Sequence, residues 1–260
     1  LLGVAWRNRK IHIVAEEKRR IPTNIGAMQA FHVMRQAALM LTSVVLAKSA
    51  LSVEEIGNWE MLLYIGYTLS FFWASGLVQG MLTMFPKLDN EERKAFVFNV
   101  YMLFATISVA ILLVLLVGRN SVVFLLTNRQ QLPYIGMFSV FLALNMPVFL
   151  LENLYLLHDR ARSIFWFGAF SALGQVASVG IPIWIGEGVR GGVAGLATFA
   201  GIRHLFLLIF VLKHAKIQFL FSLWSRLIKL SLPLMGYAVL GGLQVALGSW
   251  FVAYLYPGDQ

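Results

Sequence analysis

The sequence predicts an all-α, polytopic membrane bundle of about seven transmembrane helices with a cytoplasmic N-terminus, on three observations. Of 260 residues, 59% are hydrophobic and 13% charged, where a soluble domain carries about 25% charged residues; mean hydropathy is +0.75. Seven segments, 28–50, 59–84, 95–117, 133–157, 164–186, 193–212 and 230–255, are apolar over the roughly 20 residues a helix needs to cross a hydrocarbon core about 30 Å thick. Basic residues concentrate in alternate connections between them. This composition excludes a water-soluble enzyme. The lack of cysteine excludes disulfides, thiolate metal sites and cysteine nucleophiles.

Residues 1–27 read as a basic cytoplasmic lead-in, with Arg7, Arg9, Lys10, Lys18, Arg19 and Arg20 and no apolar run of the kind a signal peptide needs. A start at Leu1 and an end at Gln260, just past the seventh span, read as a fragment. Residues 28–212 hold six spans, a lobe in itself. Backbone polar groups in lipid must be bonded within the structure, and segments of this length achieve that only as helices. Barrel strands would be about ten residues long and alternate in polarity.

Local signals punctuate the spans. Asp89, with Glu92 three residues on, has capping-box spacing for the third. Pro133 suits the first turn of the fourth, and His158-Asp159-Arg160-Ala161-Arg162 separates the fourth from the fifth. Gly174 and Ser178 form a small-xxx-small pair that lets helices approach closely. Residues 213–229 predict an amphipathic linker helix in the membrane interface. Ile217, Leu220, Phe221, Trp224, Leu227 and Ile228 take one face, and Lys216, Ser222, Ser225, Arg226 and Lys229 the other. An early start to the seventh span is the plainer alternative. Residues 230–260 hold that span, the first helix of a truncated second lobe.

With the N-terminus cytoplasmic, 15 Lys/Arg fall on the cytoplasmic side: the six of the lead-in, then Lys87, Arg93, Lys94, Arg160, Arg162, Lys213, Lys216, Arg226 and Lys229. The outer side receives Lys48, Arg119, Arg129 and Arg190. The positive-inside rule orients the chain accordingly. The asymmetry accounts for most of the net charge of +9 and leaves no need for a nucleic-acid partner.

No phosphate-cradling Gly-rich loop, metal-binding His-Glu-x-x-His or Gly-x-Ser-x-Gly elbow is present, and the five histidines lack metal-ligand spacing. No cofactor or metal is called for. The informative residues are polar ones inside spans, where charge is costly and normally faces protein or water. His32, Arg35 and Gln36 share a face of the first span. Glu60, Tyr64, Tyr67, Thr68 and Ser75 form a stripe on the second. Asn145 precedes Pro147 in the fourth, followed by Glu152, and Arg203 and His204 lie in the sixth. Arg35, about 10 Å deep by helical rise, Glu152 and Arg203 are expected to surround a net-positive vestibule suited to an anionic substrate. Snorkelling of long arginines to headgroups is the alternative. Glu152 reads as a neutraliser of one arginine, and His32 and His204 as packing residues.

The segment Leu46-Ala47-Lys48-Ser49-Ala50-Leu51-Ser52-Val53-Glu54-Glu55-Ile56-Gly57 resembles the first-loop signature of polysaccharide flippases. Ser75-Gly76-Leu77-Val78-Gln79-Gly80, Gly191-Gly192-Val193-Ala194-Gly195-Leu196 and Leu230-Ser231-Leu232-Pro233-Leu234 are similar, in order and spacing, to further motifs of that family. The resemblance covers roughly residues 28–257. It is to the oligosaccharide-flippase (Wzx-like) branch of the multidrug/oligosaccharidyl-lipid/polysaccharide exporter superfamily.

That resemblance implies two six-helix lobes around a central cavity, of which this chain holds the N-lobe, the linker and the first C-lobe helix. It also implies a multi-pass bacterial inner-membrane protein that moves undecaprenyl-diphosphate-linked oligosaccharide to the outer leaflet, beside glycosyltransferase or polymerase partners of the same pathway. On this reading the substrate cavity holds Arg35, Arg203, His32, Gln36, Tyr64, Tyr67, Glu152 and Asn145, with the arginines on diphosphate and the tyrosines on sugar. The seventh span lacks the acidic residue often found there in the family: it reads Gln244-Val245-Ala246-Leu247-Gly248-Ser249-Trp250. A multidrug/cation antiporter of the same superfamily would prefer acidic groups in the N-lobe. A membrane-embedded glycan polymerase or glycosyltransferase would need an outer acidic pair, and Glu54-Glu55 reads better as a helix cap.

Overall fold

The computed structural model describes residues 2–255, with side chains described over 23–240 and at Leu247. The described residues form eight α-helices: α1 (Leu2–Ala47), α2 (Val53–Met84), α3 (Asn90–Val117), α4 (Arg119–Thr127), α5 (Ile135–Leu157), α6 (Ala161–Trp184), α7 (Gly188–His214) and α8 (Phe221–Leu255). A short 3₁₀ turn, Phe85–Lys87, follows α2, and the described residues contain no strand. Among the described residues, six helices are long and apolar enough to cross a membrane: Thr23–Ala47, Val53–Lys87, Asn90–Val117, Ile135–Leu157, Ala161–Trp184 and Gly188–His214. The lead-in falls mostly on residues whose side chains lie outside the described set, as do most side chains of the seventh span.

Caps set the helix starts. Ser52 Oγ accepts from the Glu55 amide (3.2 Å) while Glu55 Oε2 accepts from the Ser52 amide (2.9 Å), so Glu55 serves as a cap. Asp89 and Glu92 form the expected second box, with Glu92 N donating to Asp89 Oδ1 at 2.7 Å. Pro133 is not in a first helical turn. α5 begins two residues later, after Tyr134 in the left-handed region (φ 63°). α4 lies in the connection between the third and fourth expected spans. Its nine residues bury Val123 and Thr127, and it ends at Asn128 in the left-handed region (φ 55°), which Asn tolerates better than most residues.

Apolar helices gain nothing from burial against one another in lipid, so close packing at small residues must hold them. α1 lies along α6, where Gly168 faces Phe31 and Met34; a Cβ there would stand 2.7 Å from Met34 Cε. α6 lies along α7, with Phe199 over Gly174 and Gly195 against the Ser178 carbonyl, which is the close approach expected of Gly174 and Ser178. α5 is central, touching α2, α3, α6 and α7, and Val148, Leu150 and Leu151 on it are fully buried. α8 runs along α2, with Met235 on Gly76 and Ser231 on Gly80.

The linker differs from its prediction. Residues 215–220 are not helical, and one continuous helix then runs from Phe221 through Pro233, joining the expected interfacial helix to the expected seventh span. The buried stripe is Leu223, Leu227 and Ser231, turned onto α2, while Ile217 and Phe221 are exposed. The cause is Asn99 on α3. Its Nδ2 donates to the Gln218 carbonyl (2.7 Å), its Oδ1 accepts from the Leu220 amide (2.9 Å), and its own carbonyl accepts from Trp224 Nε1 (2.9 Å). Lys216 N adds a bond to the Lys94 carbonyl. With these backbone groups satisfied from α3, the first predicted turn has no need to be helical.

At the α5–α6 turn, Asn24 Nδ2 donates to Asp159 Oδ1 (2.9 Å), which levels that part of α1 with the turn. His158 packs between Phe85 and Phe210, with Nδ1 donating to the Leu154 carbonyl (2.8 Å). Burial holds its pKa below the usual 6.5, against the opposing pull of that hydrogen bond. His214 Nε2 accepts from Arg160 (2.9 Å), which leaves Nδ1 to donate to the Phe210 carbonyl.

Candidate functional site: a polar cavity between α1 and α2

α1 takes α6 as its main partner and α2 takes α8, so the first two helices diverge and form opposite walls of a cavity of about 760 Å³, with α5, α6 and α7 as its floor. The lining runs from Met28 to Ser43 on α1 and from Trp59 to Leu82 on α2. At 1.5 Å per residue these are about 22 and 34 Å, comparable to the hydrocarbon thickness. Most of the wall is apolar or aromatic, including Phe31, Phe71, Phe141, Phe149 and Phe199. Polar groups are set along it at Thr42, Ser70, Gln79, Ser171 and Gln175.

Seven of the eight residues expected to line a substrate cavity are on this surface: His32, Arg35, Gln36, Tyr67, Asn145, Glu152 and Arg203. Tyr64 is not, although helical periodicity puts it on the Glu60–Tyr67 stripe. His204 faces away as a packing residue. Its Nδ1 donates to the Leu144 carbonyl (2.9 Å) and Tyr101 Oη meets its Nε2 (3.2 Å), which ties α3, α5 and α7 together beside Asn145 and Arg203.

The charged groups converge on Glu152. Arg35 Nη1 lies 3.7 Å from Glu152 Oε1, with side-chain exposures of 45% and 5%. Arg203 also acts electrostatically on that carboxylate. Its guanidinium lies near the Phe167 and Phe199 rings (5.5 and 5.9 Å), and Nη1 reaches Asn145 Oδ1 at a long 3.4 Å. Two buried atoms here have no hydrogen-bond partner, Glu152 Oε2 and Arg203 Nε. His32 Nδ1 accepts from Arg35 Nη2 at 3.4 Å, since a guanidinium has no acceptor. Counting residues from Asp159 and His214, Glu152 lies about 10 Å and Arg203 about 16 Å from the turn level; Arg35 is about 16 Å from Asn24, deeper than its sequence position implied.

The expected net-positive vestibule is only locally so. Glu60, two turns into α2 and near the opposite end, also lines the cavity, so two arginines meet two carboxylates along its length. Sequence reasoning noted Glu60 in the α2 stripe without setting it against the arginines. Capped at Ser52, α2 carries Glu60 inward from the far end while both arginines and Glu152 cluster nearer the α5–α6 turn. The cavity is therefore polarised. It can hold an anionic group at the arginine end within a wall of aromatic and hydrogen-bonding residues.

No protein-family model, curated protein or solved structure matches this chain.

Proposed function

We propose that this multi-pass membrane protein is a transporter of the bacterial plasma membrane, N-terminus inside, that passes undecaprenyl-diphosphate-linked oligosaccharide from the cytoplasmic to the outer leaflet for surface polysaccharide synthesis. The reading is supported by one observation above all: a half-exposed guanidinium, Arg35, backed by Arg203 and midway along the apolar segment Thr23–Ala47, in a cavity nearly as long as the bilayer core is thick. A diphosphate cannot cross a low-dielectric slab unpaired, and guanidinium groups bind phosphate oxygens in bidentate fashion. Gln36, Tyr67, Gln79 and Gln175 offer hydrogen bonds to sugar hydroxyls as the glycan passes. Leaflet exchange then follows from rocking of this lobe against the second that the sequence resemblance implies. Glycosyltransferases or a polymerase of the same pathway would make and use the cargo.

Glu60 favours a second reading, a cation antiporter, because with Glu152 it gives the cavity two carboxylates. Arg35→Ala combined with Arg203→Ala in the full-length protein separates them. The first reading expects loss of surface glycan with membrane insertion intact, and normal glycan display rejects it. The second expects drug export to fail with Glu60→Gln.

A further inference from the structure

The Arg35–Glu152 pair is unusually loose for a buried charge. A charge-assisted N–H···O bond is about 2.7–2.9 Å long, yet the pair stands at 3.7 Å. Glu152 Oε2 and Arg203 Nε are both buried and unpartnered, and the hydrogen bond from Arg203 to Asn145 is a long 3.4 Å. The carboxylate thus stands in a loose ion pair with Arg35 and acts on Arg203 through its field without a close contact. The exposures are asymmetric as well: an anion entering the cavity meets Arg35 first, with Glu152 nearly covered behind it.

We propose that Glu152 is a built-in competitor for the cargo, the resident counter-ion of Arg35 and Arg203, displaced when the phosphate group binds and displacing it again at release. The proposal rests on the transport reading above and adds how the site lets go. Two arginines without a counter-charge in a low-dielectric wall would trap a diphosphate, and a transport site must bind weakly enough to empty. The carboxylate supplies that weakness from within. A residue that merely braces the fold would, when neutralised, weaken binding or leave it unchanged. A competitor has the opposite sign.

The test uses the protein in phosphatidylcholine nanodiscs titrated with farnesyl diphosphate and, separately, with inorganic pyrophosphate. Wild type is expected to bind farnesyl diphosphate and Arg35→Gln to lose that binding. Glu152→Gln is expected to bind at least about tenfold tighter, with correspondingly slower release, as one unit charge a few Å from the anion implies at an effective dielectric near 20. The same ranking with pyrophosphate supports the proposal for the diphosphate group itself; a ranking seen with farnesyl diphosphate alone supports it for the lipid-linked form. Binding to Glu152→Gln that is no tighter than wild type, while still lost in Arg35→Gln, overturns the competitor role and leaves the transport reading standing. No wild-type binding of either probe, or binding indifferent to Arg35→Gln, overturns both. Should Glu152→Gln fail to insert, Glu152→Asp draws the charge back from Arg35 and is expected to tighten binding about threefold; no gain overturns the proposal.

Discussion

Replacing Asn99 by Leu should release the α7–α8 connection while sparing the bundle. The side chain is 1% exposed and ties backbone groups more than a hundred residues away, at Gln218 and Leu220. Leucine is close in volume but offers no donor or acceptor, so the Leu220 amide and the Gln218 carbonyl both lose their partner. Each lost bond is worth about 0.5–1.5 kcal/mol net, more where water cannot replace it. Two bonds at a part-buried linker come to about 2 kcal/mol, and at 1.36 kcal/mol per tenfold local opening becomes about thirtyfold more frequent. Amide hydrogen exchange followed by mass spectrometry reads this directly. Protection across residues 216–224 should fall by about that factor, with exchange in α5 unaltered, while Trp224 Nε1 keeps its acceptor because that is the backbone carbonyl of residue 99. Unchanged protection at Leu220 would refute the claim that Asn99 holds the linker out of helix. Uniform loss of protection in every helix would refute the claim that its role is local.

Gly195→Ala should separate α6 from α7, because the added methyl meets the Ser178 backbone rather than a movable side chain. A cost of about 1–3 kcal/mol or more should lower the melting temperature in detergent, whereas Gly180→Ala, which finds Val45 at an ordinary 3.4 Å, should not. For pH, the folded pKa of His158 lies below its unfolded 6.5 because burial disfavours its charged form. The folded state then binds fewer protons, so stability is level above about pH 6.5 and declines as pH falls toward the lowered value. The neighbouring His214 and Arg160 act on the His158 pKa in the same direction, while Asp159 opposes them. His158→Gln should flatten the acid side of the detergent melting profile, and an unchanged slope would reject the assignment.

Much of the fold could be read along the chain because its determinants are local. Span length, the Asp89–Glu92 capping box and the Gly174/Ser178 spacing depend on neighbours within a turn or two, and each has its counterpart in the structure. Helical periodicity likewise put His32, Arg35 and Gln36 on one face. Which part of a stripe meets the hollow is a different matter. Tyr64 shares its side of α2 with Glu60 and Tyr67 and is still left off the lining, because the neighbouring helices, not the helix's own period, bound the cavity. The linker was misread for a related reason. Its apolar spacing is helical, but the partner that satisfies its backbone is Asn99, far off in sequence.

The amino-acid order alone determined that this chain is a helical membrane protein with costly charges inside its spans, since hydropathy and backbone satisfaction are properties of each segment by itself. Tertiary structure alone decided that Arg35, Glu152 and Arg203, from three different helices, line one cavity, that Glu60 lines it as well, and that α1 and α2 part to leave room between them. Those outcomes depend on where glycines allow helices to touch, at Gly168, Gly195 and Gly80. Contact between helices is a pairwise quantity that no single segment encodes.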